Sequence, residues 1–356
     1  MGKLITIDPI KDPRWDNFVE QHPYGWICHL SGWKYLLEQS FKHMKGHYLA
    51  IFDDSDENIL AALPFFEVRS WLTGNRMVSI PFATLSDPLV STREDMERLL
   101  GAAINLSNKL DTSYIEIRTL YADTTVLNQR FAGDLFYKHH YLRIDKDPEE
   151  IKKTFHYKAV RYEINKAKKS GLTLKTANTE SDLRGFYDLY IKTRKRLGLP
   201  PHPYLFLETL WKTFFPLNMI EILFAMLEDR IVGAQIYFKF KDRVSMEYEV
   251  WDRDFKGTSP NHYLIWEAIK KANVQGYHIF DFGRTSPENL ALMNFKKRWG
   301  TQIVDLPQFF HPKEAHLAKG YYHDNSVAHR LMGKICKNSP NFALKLIGNF
   351  CYHHLG

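Results

Sequence analysis

One stretch of the sequence, from Tyr248 to Gly300, constrains the fold more than any other. Its pattern predicts a strand, a polar loop, a helix and a second strand. The helix is expected to begin at Ser259–Pro260, because serine is a favoured N-cap and proline fits the first helical position, and to end at Gly276. Unpaired N–H groups at such a helix start favour anions. The pattern therefore indicates a βαβ unit with a polar loop at its anion-favouring end, although an ordinary α/β core would give the same pattern.

The net charge of +7 indicates an anionic partner, such as a nucleic acid, a phosphorylated substrate or a membrane surface, although a solvated basic surface would give the same count. The chain has 356 residues, enough for two domains of ordinary size. Its hydrophobic fraction of 44% is typical of a folded globular protein.

The three cysteines, Cys28, Cys336 and Cys351, form no CxxC motif, and no histidine has metal-ligand or catalytic-triad spacing. We therefore expect neither a disulfide framework nor a bound metal. The sequence shows no secretory leader and no run of about 18 apolar residues. These observations favour a cytoplasmic protein.

The two halves of the chain follow a similar order of patterns. Two strands around an acidic turn in HYLAIFDDSDENILAALPFFEV parallel MIEILFAMLEDRIVGAQIYFKF, and SYIEIRT parallels HIFDFGRT. Short α/β motifs can resemble each other by coincidence, but repetition in the same order favours duplication. We predict an α/β (α+β) protein of two tandem units, each a mixed twisted sheet flanked by helices. The predicted domains are residues 1–146 and 147–306, followed by a return segment and tail at 307–356.

A basic helix is predicted after the strong start signal at Asp147–Pro148, and it runs to Gly171. At helical spacing, Lys158, Arg161 and Asn165 share one face with Lys168 or Lys169. Such a face could hold a diphosphate or an RNA backbone. A solvated charged face is the alternative.

A predicted strand, SMEYEVW, places Ser245, Glu247, Glu249 and Trp251 on one face and Tyr248 on the other. A carboxylate there could deprotonate an amine nucleophile, or it could simply pair with a cation on a neighbouring strand.

The segment NFKKRWG places Phe295 and Trp299 at i, i+4, which indicates that both face the core. Lys296 follows the anchored Phe295 and could point into a cleft, where its ammonium would stabilise an oxyanion or a phosphate.

The tail, residues 326–356, mixes apolar and basic residues at helical spacing and is interrupted at Pro340. Such a segment can lie on the inner, anionic face of a membrane or pack on its own domain.

These motifs resemble the Fem-type aminoacyltransferases, which build peptidoglycan cross-bridges, and the related branch found with exopolysaccharide gene clusters. The resemblance rests on KAVRYEINKAKKSGL, TRKRLGLPPHPYLF and NHYLIWEAIKKANVQGYHIFDFGRTSPEN with NFKKRWG, and it covers residues 147–300 best. It implies two tandem GNAT-like domains and transfer of an aminoacyl group from tRNA to an amine of a phosphorylated or lipid-linked envelope precursor.

By this resemblance, Lys296 is the catalytic residue and Arg161 meets the diphosphate of the precursor. The substrate-binding candidates are Lys158, Arg161, Tyr248, Ser259, Asn261, Tyr263, Arg284 and Phe295. No cofactor or metal is implied, because the acyl donor is a co-substrate, either aminoacyl-tRNA or acyl-CoA. The helical arm of some members is absent between Leu197 and Met219, and Leu37 stands where the family has an N-terminal lysine.

Two alternatives stay open at this point. One is an acyl-CoA-dependent N-acyltransferase acting on amino sugars of an exopolysaccharide, with Glu247 or Glu249 as the base. The other is a non-catalytic GNAT-like module that binds a glycan or RNA. The sequence does not predict the oligomeric state.

Overall fold

The computed structural model describes residues 2–315 and 327–355 of the chain. The chain divides into two compact units. The first comprises Met1–Phe136, Leu306–Leu331 and Gly348–Gly356, and the second comprises Tyr137–Asp305 and Met332–Ile347. The predicted domain limits at residues 146 and 306 stay a prediction. The limits of a compact unit in the fold need not coincide with the limits of a duplicated sequence unit.

The first unit is a mixed sheet with helices. The sheet order is β1–β2–β3–β4–β5–β12, and the β4–β5 pair is parallel while the others are antiparallel. Most residues of β2 and β3 are buried. Alternate ones, namely Leu49, Ile51, Ala61, Leu63 and Phe65, form a core cluster with the long helix α3 (Arg93–Lys109), which Thr92 caps. Its strands and helices are β1 (Lys3–Ile7), α1 (Arg14–Gln21), α2 (Ser31–Ser40), β2 (Met44–Phe52), β3 (Ile59–Val68), β4 (Arg76–Val78), α3 (Arg93–Lys109), β5 (Ile115–Arg118), α4 (Thr125–Arg130) and β12 (Gln302–His311), whose last residues pair with β5.

The second unit has a sheet of order β6–β11–β10–β9–β8–β7, in which only the β10–β11 pair is parallel. Its elements are β6 (Ala132–Arg143), α5 (Pro148–Lys153), α6 (Tyr162–Lys169), β7 (Leu172–Thr176), α7 (Glu180–Leu197), α8 (Tyr204–Phe214), β8 (Ile220–Leu227), β9 (Arg230–Phe240), β10 (Arg243–Trp251), α9 (Pro260–Val274), β11 (Ile279–Thr285) and α10 (Leu290–Lys297). Two further helices, Val327–Asn338 and Asn341–Tyr352, follow β12. The predicted α/β architecture of two units with mixed sheets is confirmed.

Helix α9 packs on the sheet of the second unit and fixes the polar loop before it. Trp266 is fully buried, and its ring meets Phe155 edge-on at 5.8 Å between centroids. At the start of α9, a Cβ on Gly233 would lie 3.1 Å from the Cβ of Pro260, so the glycine permits the close approach of α9 to β9. The predicted helix start at Ser259–Pro260 is therefore held by packing.

The prediction of one continuous basic helix from residue 147 to Gly171 is wrong, because the chain forms two separate helices there. Helix α5 ends at Lys153, where Thr154 Oγ1 donates to Ile151 O at 2.7 Å, and α6 begins only at Tyr162. Between them Phe155 turns into the core, and residues 157–161 form a π-helical turn. Burial of this aromatic ring outweighs the helix propensity of its neighbours.

Within residues 2–315 and 327–355, we find no helix with both the length and the apolar character needed to cross a bilayer.

Candidate functional site

Lys296 is a buried lysine held in one position by two backbone carbonyls. It lies near the end of α10, and its side chain is 5% exposed. Its Nζ donates to Gly283 O at 3.2 Å and to Arg284 O at 3.0 Å. An ammonium has three N–H donors, so these two bonds leave one free among the residues that the structure describes. A single aimed donor in a buried position can stabilise an oxyanion.

The two carbonyls face Lys296 because β11 carries a bulge. The pairing of β11 with β6 shifts register between Asp281 and Gly283, and Gly283 has φ 70°. Only glycine takes this left-handed conformation without strain. Asp281 Oδ1 accepts the Gly283 N–H at 2.7 Å, which fixes the bulge.

Behind the bulge, Asp281 forms a buried charge cluster with Arg243 and His139. Arg243 Nη1 donates to Asp281 Oδ2 at 2.7 Å, and His139 Nε2 lies 3.2 Å from the same oxygen. Burial would raise the pKa of Asp281, but His139 and Arg243 outweigh it, so the pKa lies well below its ordinary value. The carboxylate is therefore charged at neutral pH and anchors the strand.

Two carboxylates on β10 share the electrostatic environment of Lys296. Burial raises the pKa of Glu247 to about 7, and it also raises the pKa of Glu249. Burial lowers the pKa of Lys296 to about 8, and this reduction is opposed by Asp281 and by both glutamates. The site thus holds the ammonium of Lys296 and the carboxyl group of Glu247, which titrate near physiological pH, beside Glu249, whose pKa burial also raises.

The prediction that Glu247 and Glu249 share a face of β10 is wrong. A bulge between Met246 and Tyr248 makes Glu247 an extra residue, which shifts the alternation after it. Glu249 pairs opposite Gln235 and accepts a hydrogen bond from Asn261 Nδ2 on α9, whereas Glu247 accepts one from Ser245 Oγ.

Ser259 lies at the predicted N-cap position but does not cap α9. Its φ is 54°, and its Oγ donates to Glu163 Oε2 on α6 instead of accepting from the helix. The predicted capping hydrogen bond from Ser259 to its own helix is therefore wrong. The Ser259 hydroxyl group donates instead to the Glu163 carboxylate, which lies within reach. Asn261, one residue into the helix, connects α9 to Glu249.

An open groove of about 470 Å³ lies along α6, lined by Tyr162, Asn165, Lys166, Lys169 and Ser170. Ser170 Oγ donates to Thr258 O at 3.3 Å, which joins the end of α6 to the polar loop before α9. The groove therefore has two lysines and a hydroxyl group next to that loop.

The predicted shared face of Lys158, Arg161 and Asn165 is not formed as expected, because Lys158 and Arg161 belong to the π-helical turn. Lys158 is exposed. The Arg161 guanidinium lies 5.0 Å from the centre of the Tyr157 ring, and its buried Nε has no hydrogen-bond partner among the described residues.

The four remaining candidate substrate-binding residues are Arg284, Phe295, Tyr248 and Tyr263, and each contacts different side chains. Arg284 stacks on the Tyr137 ring at 4.6 Å, and Phe295 meets His262 edge-on at 5.7 Å. Tyr248 points away from Glu249 and contacts Tyr190, with ring centroids 5.9 Å apart.

Tyr263 is 8% exposed and belongs to the hydrophobic core of the second unit. Its role as a substrate contact stays a prediction, because Lys296 and Ser259 are buried to a similar degree.

Sequence reasoning missed Arg243, His139 and the role of Asp281. These residues lie on three strands that are distant along the chain, so no local spacing connects them. The DFG sequence before Arg284 was the one available signal, because a glycine inside a strand pattern indicates a bulge.

Residues 154–297 match the family model described as an acetyltransferase (GNAT) domain. A search of curated proteins found no significant match. Three solved structures give the comparison for the whole chain. FemX has a TM-score of 0.71 and 16% identity, covering 89% of this chain and 99% of that one.

The C-terminal domain of a putative lysylphosphatidylglycerol synthetase from Agrobacterium fabrum has a TM-score of 0.57 and 10% identity, covering 87% and 95%. A tandem GNAT protein from the clavulanic acid biosynthesis pathway has a TM-score of 0.55 and 12% identity, covering 87% and 98%. These likenesses bear on the fold. The chain has a Fem-type GNAT fold, as its motifs predicted.

Proposed function

We propose that this protein is an acyltransferase that moves an aminoacyl group onto an amine of a cell-envelope precursor, with Lys296 as the catalytic residue. The observation that carries the proposal is the buried ammonium of Lys296, fixed by Gly283 O and Arg284 O, inside the region that matches a GNAT domain. A fold alone does not specify a reaction, so the proposal depends on this site.

In the proposed reaction, the acceptor amine attacks the carbonyl carbon of the acyl donor. A C–N bond forms, and the bond from the carbonyl carbon to the leaving oxygen of the tRNA ester breaks. The third N–H of Lys296 donates to the oxyanion of the tetrahedral intermediate. Loss of one such donor in other enzymes lowers kcat about 10²–10³-fold.

The amine must lose a proton during the reaction, and the two carboxylates on β10 are the candidate acceptors. Glu247, with a pKa of about 7, is the better matched base at neutral pH. It would take the proton from the attacking nitrogen, and the proton would then pass to the leaving oxygen. Glu249 is held by Asn261 and is assigned to position the α9 end of the site.

The phosphorylated part of the substrate is assigned to the basic surface around α6. Arg161 Nε has no hydrogen-bond partner in the part of the chain that the structure describes, Lys158 is exposed, and the neighbouring groove contains Lys166 and Lys169. Cations with open donors bind phosphate groups by charge-assisted hydrogen bonds. An envelope precursor is favoured by the resemblance to Fem-type enzymes, and one structural neighbour is named for an aminoacylated phospholipid.

A second candidate is an acyl-CoA N-acyltransferase acting on an amino sugar of an exopolysaccharide. One observation favours it, namely the description of the matching family model as an acetyltransferase. Glu247 would again serve as the general base. The broken bond would then be C–S, and the proton would end on the CoA thiol. The polar loop from Arg253 to Thr258 has a single glycine, Gly257, which is few for a diphosphate-binding loop.

A thermal-shift screen of donors and acceptors, followed by turnover assays of every ligand that binds, tests the proposal. A ligand that binds only the native state raises its stability by mass action. We expect stabilisation by aminoacyl-tRNA or nucleotide-linked muropeptide that Arg161→Ala abolishes. The matched control is Lys153→Ala, which removes an exposed cation from the end of α5.

Stabilisation by acetyl-CoA but not by desulfo-CoA, with turnover, would favour the second candidate. Binding without turnover of any donor would overturn both enzymatic functions and leave a binding module. In that case, a strong salt dependence would indicate contacts dominated by phosphate.

A further inference from the structure

The two C-terminal helices expose apolar side chains although both helices are firmly packed. Ile335 is 44% exposed, Phe342 is 70% exposed and Leu346 is 63% exposed. Phe342 and Leu346 are one helical turn apart and therefore lie on one side of their helix. Large apolar side chains in such positions cost solvation free energy unless something covers them.

The opposite sides of these helices are fixed against the second unit. Cys336 and Leu344 are fully buried. Gly198, at the end of α7, approaches the backbone of Gly333 so closely that a Cβ on Gly198 would lie 2.9 Å from Gly333 O. The exposed side chains are therefore held outward by packing on the other side of each helix.

Cations flank the exposed apolar residues along the sequence of both helices. Lys334, Lys337 and Lys345 are all exposed, and the sequence has no aspartate or glutamate between Val327 and Gly356. Lys345 is partly steadied by the ring of Tyr187, 5.5 Å away. Long lysine side chains can extend sideways from an apolar surface to reach negative charge.

We propose that this face binds the surface of an anionic lipid bilayer. The face, here named the tail face, comprises Lys334, Ile335, Lys337, Phe342, Lys345 and Leu346. A short helix with outward apolar residues and a basic rim lies in the plane of a membrane, where the apolar residues enter the boundary region and the cations meet lipid phosphates. The absence of carboxylates from this part of the sequence favours lipid over a protein partner of mixed charge.

This inference does not rest on the proposed reaction, because it concerns other residues and a different partner. Co-sedimentation with vesicles tests it directly. We expect the full-length protein to bind vesicles that contain phosphatidylglycerol more tightly than vesicles of phosphatidylcholine. The preference should fall when salt rises from about 0.1 M to about 1 M, because the Debye length falls from about 10 Å to about 3 Å.

Phe342→Glu with Leu346→Glu should lower the partition coefficient at least about 100-fold, because two apolar side chains lose their burial and two negative charges face the lipid. Lys334→Gln with Lys337→Gln should lower it about 25-fold on anionic vesicles, at about fivefold for each cation, and hardly at all on neutral ones. The matched control is Leu60→Glu with Val274→Glu, which adds the same charge at two other exposed apolar positions. Its binding should fall far less than that of the tail-face variant.

Equal binding by the tail-face variant and the wild type would overturn the inference. An equal loss of vesicle binding by the control variant would also overturn the inference, because that result would indicate a general charge effect. Size-exclusion chromatography with light scattering gives a second readout. Self-association that Phe342→Glu abolishes, without vesicle binding by the wild type, would assign the face to a second copy of the chain instead.

Discussion

Substitution of Asp281 by asparagine removes a buried charge without changing the shape of the side chain. Asp281 is 1% exposed, and its carboxylate faces both Arg243 and His139. The amide oxygen can still accept the Gly283 N–H, so the substitution tests the charge more than the hydrogen bond to the bulge.

We expect Asp281→Asn to lower the free energy of unfolding by about 3–5 kcal/mol, which is the usual cost of removing one partner from a buried ion pair. The pKa of Asp281 is well below its ordinary value in the folded state, so its contribution is present above the unfolded pKa of about 3.9. The contribution is lost as the pH falls through the lower, folded pKa. The difference between variant and wild type should therefore shrink in acid.

Urea unfolding followed by tryptophan fluorescence measures this loss, and hydrogen exchange of the β11 peptide shows whether it is local to the site. Asp229→Asn is the matched control, because Asp229 lies exposed in the turn between β8 and β9. It should change stability by no more than about 0.5 kcal/mol. A loss below about 1 kcal/mol at neutral pH for Asp281→Asn would refute the assignment of this cluster as the anchor of the bulge.

Three further predictions concern titration and backbone geometry. Because the pKa of Glu247 rises from 4.5 to about 7 on folding, its ionisation costs stability as the pH rises through that window. Glu247→Gln should match the wild type near pH 4 and be more stable at pH 8 by at most about 3.4 kcal/mol in urea unfolding, at about 1.36 kcal/mol per pKa unit. Equal stability at both pH values would contradict this. If Glu247 is the base and Lys296 the charged donor, kcat/KM should show a bell between about pH 7 and about pH 8, and a flat profile would contradict it. Gly198→Ala should lower the melting temperature, because Gly198 has φ 73° and contacts the backbone of Gly333; an unchanged melting temperature would show that this contact is loose.

The order of elements in the second unit could be predicted from sequence because its local signals agree. Thr179 and Asp182 form a capping box at the start of α7, a pattern of residues that can be recognised in the sequence. Asp147 also caps α5 as expected. Each of these signals acts within one turn of chain, where propensity and capping are decided.

The errors arose where tertiary packing overrides local propensity. Burial of Phe155 breaks the predicted basic helix, and the bulge at Glu247 reverses the faces predicted for β10. Ser259 donates to Glu163, a residue 96 positions away, in place of capping its own helix. None of these contacts has a signature at short sequence distance.

The candidate catalytic lysine could be found from sequence, but its surroundings could not. Its position after Phe295 and the resemblance to Fem-type enzymes both point to Lys296. The acceptors that hold it are backbone carbonyls, and backbone groups leave no mark in the choice of amino acids. Gly283 is the exception, because its left-handed conformation favours that residue type.

Single-turnover transfer by Lys296→Met, compared with the wild type and with Lys297→Met, tests the central claim most directly. Lys297 is the exposed neighbour of Lys296, so the control removes the same charge one position away. With the donor and acceptor that the thermal-shift screen selects, we predict a rate about 10²–10³-fold lower for Lys296→Met, an unchanged rate for Lys297→Met, and an unchanged shift in melting temperature with ligand for both. A folded Lys296→Met protein that keeps the wild-type rate would contradict the account.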